Sequence, residues 1–135
     1  MKTIHCAGLI VIQNRRLLLA FSNNKQAWYL PGGKIDAGET ALQAMQREVM
    51  EELNMQLPED SLQYYMHVTA PAFGEKDNLV MEQDCFIHEL QQTPQPSAEI
   101  GAIQFFDHAT YLKEPHQVPG VLMVFEQLRA DKLVD

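Results

Sequence analysis

Cysteine and positive charge are both scarce in this chain. Its 135 residues include two cysteines, and ten lysines and arginines stand against eighteen aspartates and glutamates, for a net charge of −8. That balance excludes the broad basic surface that binds a nucleic acid backbone, so an anionic ligand has to be small and held by a few local cations. Cys6 and Cys85 lie in apolar, strand-like runs, which predicts buried thiols in a reducing compartment, the cytoplasm, rather than a disulfide.

Long hydrophobic runs, repeats and low-complexity tracts are also absent. The apolar run at residues 6–12 is short, has polar flanks and lacks a cleavage site, so we predict a strand rather than a signal peptide, and nothing else could span a membrane. With 46% hydrophobic residues among 135, the chain is long enough for a core, and we expect one domain over residues 1–135.

A helix is the strongest local prediction, over residues 40–53. Thr40 and Gln43 form a capping box at its start, and apolar residues recur on one stripe at helical spacing. Asn54 predicts its end, because asparagine tolerates the left-handed conformation in which helices often terminate.

Strands are predicted on both sides of this helix. A turn is expected at the glycines of residues 31–33, and the first two strands read as a hairpin. A second helix is predicted from about Pro119. The predicted strands are residues 5–12, 16–21, 34–35, 63–70, 79–90 and 100–106.

Three glutamates, Glu48, Glu51 and Glu52, share one arc of the predicted helix. Two carboxylates about 6 Å apart repel by roughly 2–3 kcal/mol at an effective dielectric near 20, and no lysine lies three or four residues away to relieve them. A solvated acidic face is the structural alternative. A divalent cation would turn the repulsion into attraction, and Ala41 and Ala44 predict open space in front of the carboxylates. Oxygen ligands favour Mg²⁺ or Mn²⁺ over zinc.

Residues 33–55 resemble the Nudix box of the MutT-like pyrophosphohydrolases, G-x5-E-x7-R-E-U-x-E-E-x-G-U, in which U is a bulky apolar residue. The matching residues are Gly33, Glu39, Arg47, Glu48, Val49, Glu51, Glu52 and Met55. Asn54 stands where the family has glycine, and we expect the turn to survive this change. By resemblance, Glu39 and Arg47 are a structural pair that ties the preceding loop to the helix.

The resemblance implies an α/β fold, a Nudix-type α/β/α sandwich with a central mixed β-sheet. It also implies metal-dependent hydrolysis of a phosphoric anhydride by activated water. In this reading Glu48, Glu51 and Glu52 bind Mg²⁺ or Mn²⁺ and are the catalytic set, with Glu48 alternatively acting as the base. A main-chain carbonyl of the Gly32 and Gly33 turn adds a metal ligand.

Apart from Lys34, the candidate substrate-binding residues lie outside the box. They are Lys34, Phe73, Glu82, Asp84, Asp107 and His116. Lys34 follows the glycine turn and could contact a phosphate. The carboxylates on later strands, among them Glu99, could be further metal ligands or bases, and the aromatic side chains and Asp107 lie where the family often holds the base of the nucleotide. A solvated charge or core packing is the structural alternative for each of these residues.

Three functions remain open from sequence. The first is hydrolysis of a nucleoside triphosphate to a monophosphate and pyrophosphate. The second is cleavage of ADP-ribose or a nucleotide sugar: a proline at the position of Pro71, sixteen residues after Met55, has been associated with ADP-ribose-cleaving members, and a strand-ending loop residue is its structural alternative. Phe21 and Ser22 stand where triphosphate-cleaving members often carry arginine, which counts against the first function. The third is a catalytically idle nucleotide-sensing or partner-binding domain, against which the complete set of box glutamates argues. The resemblance also allows a homodimer.

Overall fold

In the computed structural model of this chain, residues 2–75 and 78–135 are described. The helices are α1 (Ala41–Leu53), α2 (His108–Tyr111) and α3 (Pro119–Ala130). The strands are β1 (Thr3–Ile10), β2 (Ile12–Gln13), β3 (Arg16–Ser22), β4 (Ala27–Tyr29), β5 (Gly32–Lys34), β6 (Leu62–Pro71), β7 (Val80–His88) and β8 (Ile100–Phe106). These elements confirm the predicted strands on both sides of one helix and the helix from Pro119.

The strands form two sheets that share the core. The first is mixed, in the order β5-β1-β7-β6, with β1 parallel to β7 and the other neighbours antiparallel. In the second, β3 pairs antiparallel with β2, β4 and β8. One buried cluster joins α1 to β1 and a second contains the apolar stripe of α3, so helices cover the sheets from both sides. The predicted sandwich with a mixed sheet is thereby confirmed.

The predicted N-terminal hairpin is only partly correct. Ile12 and Gln13 pair with Leu17 and Arg16 across a turn at residues 14–15, where both residues have positive φ. The preceding strand β1 instead runs in the mixed sheet between β5 and β7. The reason is burial: the second half of β1 is buried at every residue, and a strand covered on both faces belongs in the centre of a sheet.

The predicted glycine turn is also wrong in detail, because Gly32 and Gly33 begin strand β5. This strand pairs with β1, with Gly33 opposite Ala7 and Gly32 opposite Gly8. A Cβ atom on Gly32 would lie 2.1 Å from the Ala7 carbonyl oxygen, and Gly32 has φ +139°. Only a residue without a side chain allows this approach of the two backbones.

Both predicted ends of α1 are confirmed. The Thr40 hydroxyl accepts a hydrogen bond from the Gln43 N–H at 3.1 Å, and the Gln43 side chain accepts one from the Thr40 N–H at 3.0 Å. At the other end, Asn54 has φ 55° and ψ 38°. Cys6 and Cys85 are buried free thiols, as predicted. Across residues 2–75 and 78–135, every helix is too short or too polar to span a bilayer.

Thr40→Ala should lower the free energy of unfolding by about 1 kcal/mol, because the first turn of α1 loses a side-chain acceptor. Urea denaturation measures the change, and Thr40→Ser, which keeps the hydroxyl, is the matched control. An unchanged midpoint for Thr40→Ala would show that water replaces the cap at no cost.

Candidate active site

The three box glutamates project from α1 into different surroundings. Glu52 is buried, with 5% of its surface exposed, Glu48 is half-buried and the Glu51 side chain is 56% exposed. Glu48 and Glu52 line a cavity together with Gly32 and Gly33, and the described residues that line it do not include Glu51. Although the three glutamates share one arc of the helix, Glu48 and Glu52 face the cavity and Glu51 lies at the surface.

Glu52 connects α1 to the glycine strand. Its Oε1 accepts a hydrogen bond from the Gly32 N–H at 3.0 Å. The pKa of Glu52 is raised to about 8, chiefly by burial. The charges of Glu48 and Glu99 contribute to the rise, and the hydrogen bond from Gly32 opposes it. Burying a charged carboxylate costs free energy unless positive charge compensates it. A cation beside Glu52 would supply that compensation.

Glu48 lies against the same strand. A Cβ atom built on Gly33 would stand 2.5 Å from the Glu48 carboxylate, so the side chain occupies the space that this glycine leaves. Burial raises the pKa of Glu48, while its bond with Arg47 opposes the rise. The space in front of the carboxylates therefore comes from the glycine strand, and the prediction that Ala41 and Ala44 provide it is wrong. Ala44 is fully buried and Ala41 packs against the core.

Arg47 is the centre of an ion-pair network beside Glu48. Its guanidinium donates to both carboxylate oxygens of Glu39 at 2.8 and 2.9 Å, to Glu48 at 2.7 Å and to the Lys34 carbonyl oxygen at 3.1 Å. It also lies 3.7 Å from Glu51 in an i,i+4 pair. The prediction that no positive side chain on the helix relieves the three glutamates is therefore wrong. Arg47, rather than a lysine, forms ion pairs with Glu48 and Glu51.

The cavity in front of these carboxylates has a volume of about 480 Å³, within the range of small-molecule sites. Glu48 and Glu52 from α1 and Glu99, which directly precedes β8, form an acidic region, in which the charges of Glu48 and Glu99 both act on Glu52. Lys34 and Lys25 also line the cavity, and Lys25 is paired with Glu75, another lining residue, at 2.7 Å. The apolar and aromatic lining side chains include Ile4, Tyr29, Phe73, Met81 and Val118.

The structure brings only some of the candidate substrate residues to this cavity. Lys34 and Phe73 line it, as does Glu99. The His116 ring packs against Phe73 with 5.7 Å between ring centroids, although His116 is not among the described lining residues. Asp107 instead caps α2 by accepting a hydrogen bond from the Thr110 N–H at 2.8 Å.

Glu82 and Asp84 lie away from the cavity lining, on the exposed part of β7. Both contact His67, at 2.7 Å for Glu82 and 2.8 Å for Asp84. These hydrogen bonds raise the pKa of His67. Because side chains alternate along a strand, the neighbouring Met81 and Gln83 point to the other face and line the cavity.

Several lining residues were not predicted from sequence, among them Tyr29, Glu75 and Gln83. Gln83 left a signal, because it is a polar residue between Met81 and Cys85 on the apolar face of an alternating strand. It is 9% exposed, and such a residue is a natural candidate for contact with a ligand. Tyr29 and Glu75 carry no comparable pattern.

The donor set of the cavity fits a hard divalent cation. Glu48, Glu52 and Glu99 offer carboxylate oxygens, and the main chain of Gly32 and Gly33 lies beside them, which suits Mg²⁺ or Mn²⁺. No three His, Cys, Asp or Glu side chains in the described part of the chain form a ready-made cage. Glu48 bonds Arg47 through Oε1, and Glu52 bonds Gly32 through Oε1, so a cation could be held by the second oxygen of each carboxylate while these bonds are kept.

Gly33→Ala should weaken Mn²⁺ binding about tenfold, because the new methyl group displaces the Glu48 carboxylate. The fold should persist, since the end of a flexible side chain gives way. Electron paramagnetic resonance of free Mn²⁺ measures the affinity. Gly38→Ala is the control: a Cβ there meets nothing within 4 Å, and φ is +84°, so it should cost about 1 kcal/mol of stability and leave Mn²⁺ affinity unchanged. Equal affinities for both variants would contradict this view of Glu48.

Glu39→Gln should reduce stability at neutral pH and make the protein less sensitive to acid. The Arg47 bond and the Asp36 N–H lower the pKa of Glu39 from 4.5 to about 2. A lowered folded-state pKa stabilises the fold above pH 4.5, and this contribution is lost as the pH falls from 4.5 through about 2. Thermal unfolding from pH 7 to pH 2 tests this, with Glu126→Gln, an exposed carboxylate on α3, as the control. Parallel pH profiles for Glu39→Gln and the unsubstituted protein would refute it.

Comparisons with known proteins agree with this architecture. The solution structure of the E. coli ORF135 protein is 23% identical, with a TM-score of 0.73 over 100% of this chain and 96% of that chain. A C. elegans Ap4A hydrolase in a binary complex is 18% identical, with a TM-score of 0.69 over 95% of this chain and 96% of that chain. The Nudix domain of Shewanella oneidensis NrtR, complexed with ADP ribose, is 20% identical, with a TM-score of 0.69 over 97% and 88%.

These structural likenesses establish the fold, and the sequence establishes the family. No curated protein sequence matched the chain. A family model described as NUDIX domain matches residues 3–123, which includes the box, both sheets and the first part of α3. The chain belongs to the Nudix family of hydrolases.

Proposed function

We propose that this protein hydrolyses a phosphoric anhydride of a nucleoside triphosphate, releasing a nucleoside monophosphate and pyrophosphate. The observation that carries the proposal is that one cavity is lined both by the carboxylates of Glu48, Glu52 and Glu99 and by aromatic side chains. A nucleotide combines a charged phosphate chain, which a cation would join to the carboxylates, with a flat base. The cavity volume of about 480 Å³ suits a ligand of one nucleotide's size.

The acidic region would hold the cation. Glu48, Glu52 and Glu99 would be its carboxylate ligands, with a main-chain carbonyl of Gly32 or Gly33 beside them. When bound, Mg²⁺ or Mn²⁺ supplies positive charge that offsets the phosphate oxygens and makes water a stronger nucleophile. Glu51 is the outermost of the three box glutamates and would act from the rim.

The remaining side chains would bind and orient the nucleotide. Lys34 and Lys25 lie on the cavity wall, where ammonium groups could contact phosphate oxygens. Phe73 and Tyr29 pack edge to face with ring centroids 6.2 Å apart and offer apolar surface to a base. Gln83 adds an amide that could bond a polar edge of the substrate.

The reaction itself needs one proton acceptor near the attacking water. An oxygen of water bonds to phosphorus as the anhydride P–O bond breaks, and a carboxylate takes the proton. Glu48 and Glu99 are the candidates, because both are closer to solvent than Glu52. Arg47 holds Glu48 through the bond at 2.7 Å, so it would set the orientation of that carboxylate.

ADP-ribose or a nucleotide sugar is the second candidate substrate. Pro71 lines the cavity, and a proline at this offset from the box has been associated with ADP-ribose cleavage. The NrtR Nudix domain, of the same fold, is complexed with ADP ribose. Both kinds of substrate contain a phosphoric anhydride attached to a nucleoside, so a cation in the acidic region could act on either.

A reducing compartment, the cytoplasm, is the proposed location. It rests on Cys6 and Cys85, which are both buried free thiols. Two free thiols without a disulfide suit a reducing environment.

Product analysis separates these substrates. The purified protein should be incubated with nucleoside triphosphates, ADP-ribose, nucleotide sugars and dinucleoside polyphosphates, in Mg²⁺ and in Mn²⁺. Pyrophosphate with a monophosphate supports the first substrate class, and two monophosphates from ADP-ribose support the second. Tight nucleotide binding with no turnover of any substrate would instead favour the idle, nucleotide-sensing domain.

Glu52→Gln should lower kcat/KM for the best substrate by about 10²–10⁴, a loss of several kcal/mol of transition-state stabilisation. Glu99→Gln should also lower it, and Glu51→Gln should lower it least of the three because Glu51 is not among the described residues that line the cavity. Glu126→Gln, which removes the same charge from an exposed position on α3, is the control and should retain full activity. Full activity in Glu52→Gln would refute the cation role of the cavity.

A further inference from the structure

Asn54 makes contacts that a glycine at the same position could not make. Its left-handed backbone, with φ 55°, ends α1 as the family's glycine would. Its side-chain Nδ2, however, donates to the Gln95 carbonyl oxygen at 2.9 Å and to the Ser97 hydroxyl at 3.2 Å. The backbone role is shared with glycine, whereas these two hydrogen bonds belong to the asparagine.

The segment that Asn54 contacts, residues 95–97, covers the end of α1. The Gln95 N–H donates to the Leu53 carbonyl oxygen at 2.9 Å, and the Ser97 N–H donates to that of Glu52 at 2.8 Å. The Ser97 hydroxyl donates to the Glu51 carbonyl oxygen. Carbonyls in the last turn of a helix have no partner within the helix, so residues 95–97 satisfy them and become attached to the helix that carries the box glutamates.

The next two residues carry this attachment to the cavity. Ala98 has φ 55°, a conformation that alanine adopts only when its surroundings impose it. Glu99 follows and lines the cavity with Glu48 and Glu52. Glu99 is also attached to the segment after β3: its carboxylate accepts a hydrogen bond from the Asn24 side chain at 2.8 Å, and its carbonyl oxygen accepts one from the Asn23 N–H at 2.9 Å.

We infer that Asn54 is a positioning residue, whose side chain holds residues 95–97 against the end of α1 and thereby sets the place of Glu99 relative to Glu48 and Glu52. The strained Ala98 requires contacts on both sides, and Asn54 supplies part of those on the α1 side. The inference rests on the proposed function only in giving Glu99 a part in cation binding and catalysis.

Asn54→Gly is the decisive variant. Glycine adopts φ 55° without strain, so α1 should end as before and the thermal midpoint should stay close to that of the unsubstituted protein. Loss of the two side-chain bonds should lower kcat about tenfold and weaken Mn²⁺ binding by a similar factor, as is typical when an outer residue positions a metal ligand. KM for the best substrate should change less than twofold, because Asn54 does not line the cavity.

Two further variants separate positioning from stability. Asn14→Gly makes the same exchange at another left-handed residue, with φ 52°, in the turn between β2 and β3, and should leave kcat and Mn²⁺ affinity unchanged. Ser97→Ala removes one acceptor of the Asn54 amide and the bond to Glu51, and should reproduce part of the Asn54→Gly effect.

A double-mutant cycle with Glu99→Gln decides the mechanism. If Asn54 acts through Glu99, then Asn54→Gly should cause no further loss of kcat or of Mn²⁺ affinity in the Glu99→Gln protein. Wild-type kcat and Mn²⁺ affinity in Asn54→Gly would overturn the inference, as would a loss that persists in full without Glu99. If the unsubstituted protein cleaves no substrate, the proposed function fails on its own, and the Mn²⁺ arm of the cycle still decides the role of Asn54.

Discussion

The site depends on one hydrogen bond, which the Gly32 N–H donates to the buried Glu52 carboxylate. Glu52 bonds Gly32 at 3.0 Å, and this contact fixes the inner face of α1 against the edge of the mixed sheet. Burial disfavours its charge and raises its pKa to about 8, so the neutral carboxyl group is favoured near pH 7 unless positive charge lies beside it. A shifted pKa of this kind, in a group that lines a cavity, is typical of a functional site.

The surrounding contacts keep this arrangement in place. Gly32 and Gly33 let β5 approach both β1 and the Glu48 carboxylate. Arg47 joins Glu39 and Glu48 and reaches the Lys34 carbonyl, so it ties the end of β5 and the following loop to α1. At the other end of the helix, residues 95–97 cover the last carbonyls and lead to Glu99. The lining residues Gly32, Gly33, Lys34 and Glu99 thus lie on segments that are attached to the same helix.

Local patterns were sufficient for the helix and its ends. Thr40 and Gln43 act through neighbours in sequence, as does the left-handed backbone of Asn54, so the helix ends were predicted correctly. The bonds from the Asn54 side chain to Gln95 and Ser97 involve distant residues and were not predicted. The glycines were harder: their spacing suggested a turn, but pairing with β1 made them a strand, because only a partner distant in sequence reveals that close approach. The prediction that Ala41 and Ala44 leave open space was wrong for the same reason, because their burial depends on the distant residues that pack against α1. Asp107 was a candidate for contact with the base, yet it caps α2, a short helix that the pattern did not predict.

Sequence alone determined the chemistry that this chain carries: the acidic helix, its caps and a family pattern strong enough to name the reaction class. Tertiary structure decided which carboxylates meet. It separated Glu51 from Glu48 and Glu52, turned Glu82 and Asp84 away on the opposite face of β7, and brought Glu99 to the cavity from the turn before β8. Helical and strand periodicity specify which residues share a face of one element, whereas the approach of two elements depends on packing between residues far apart in the chain.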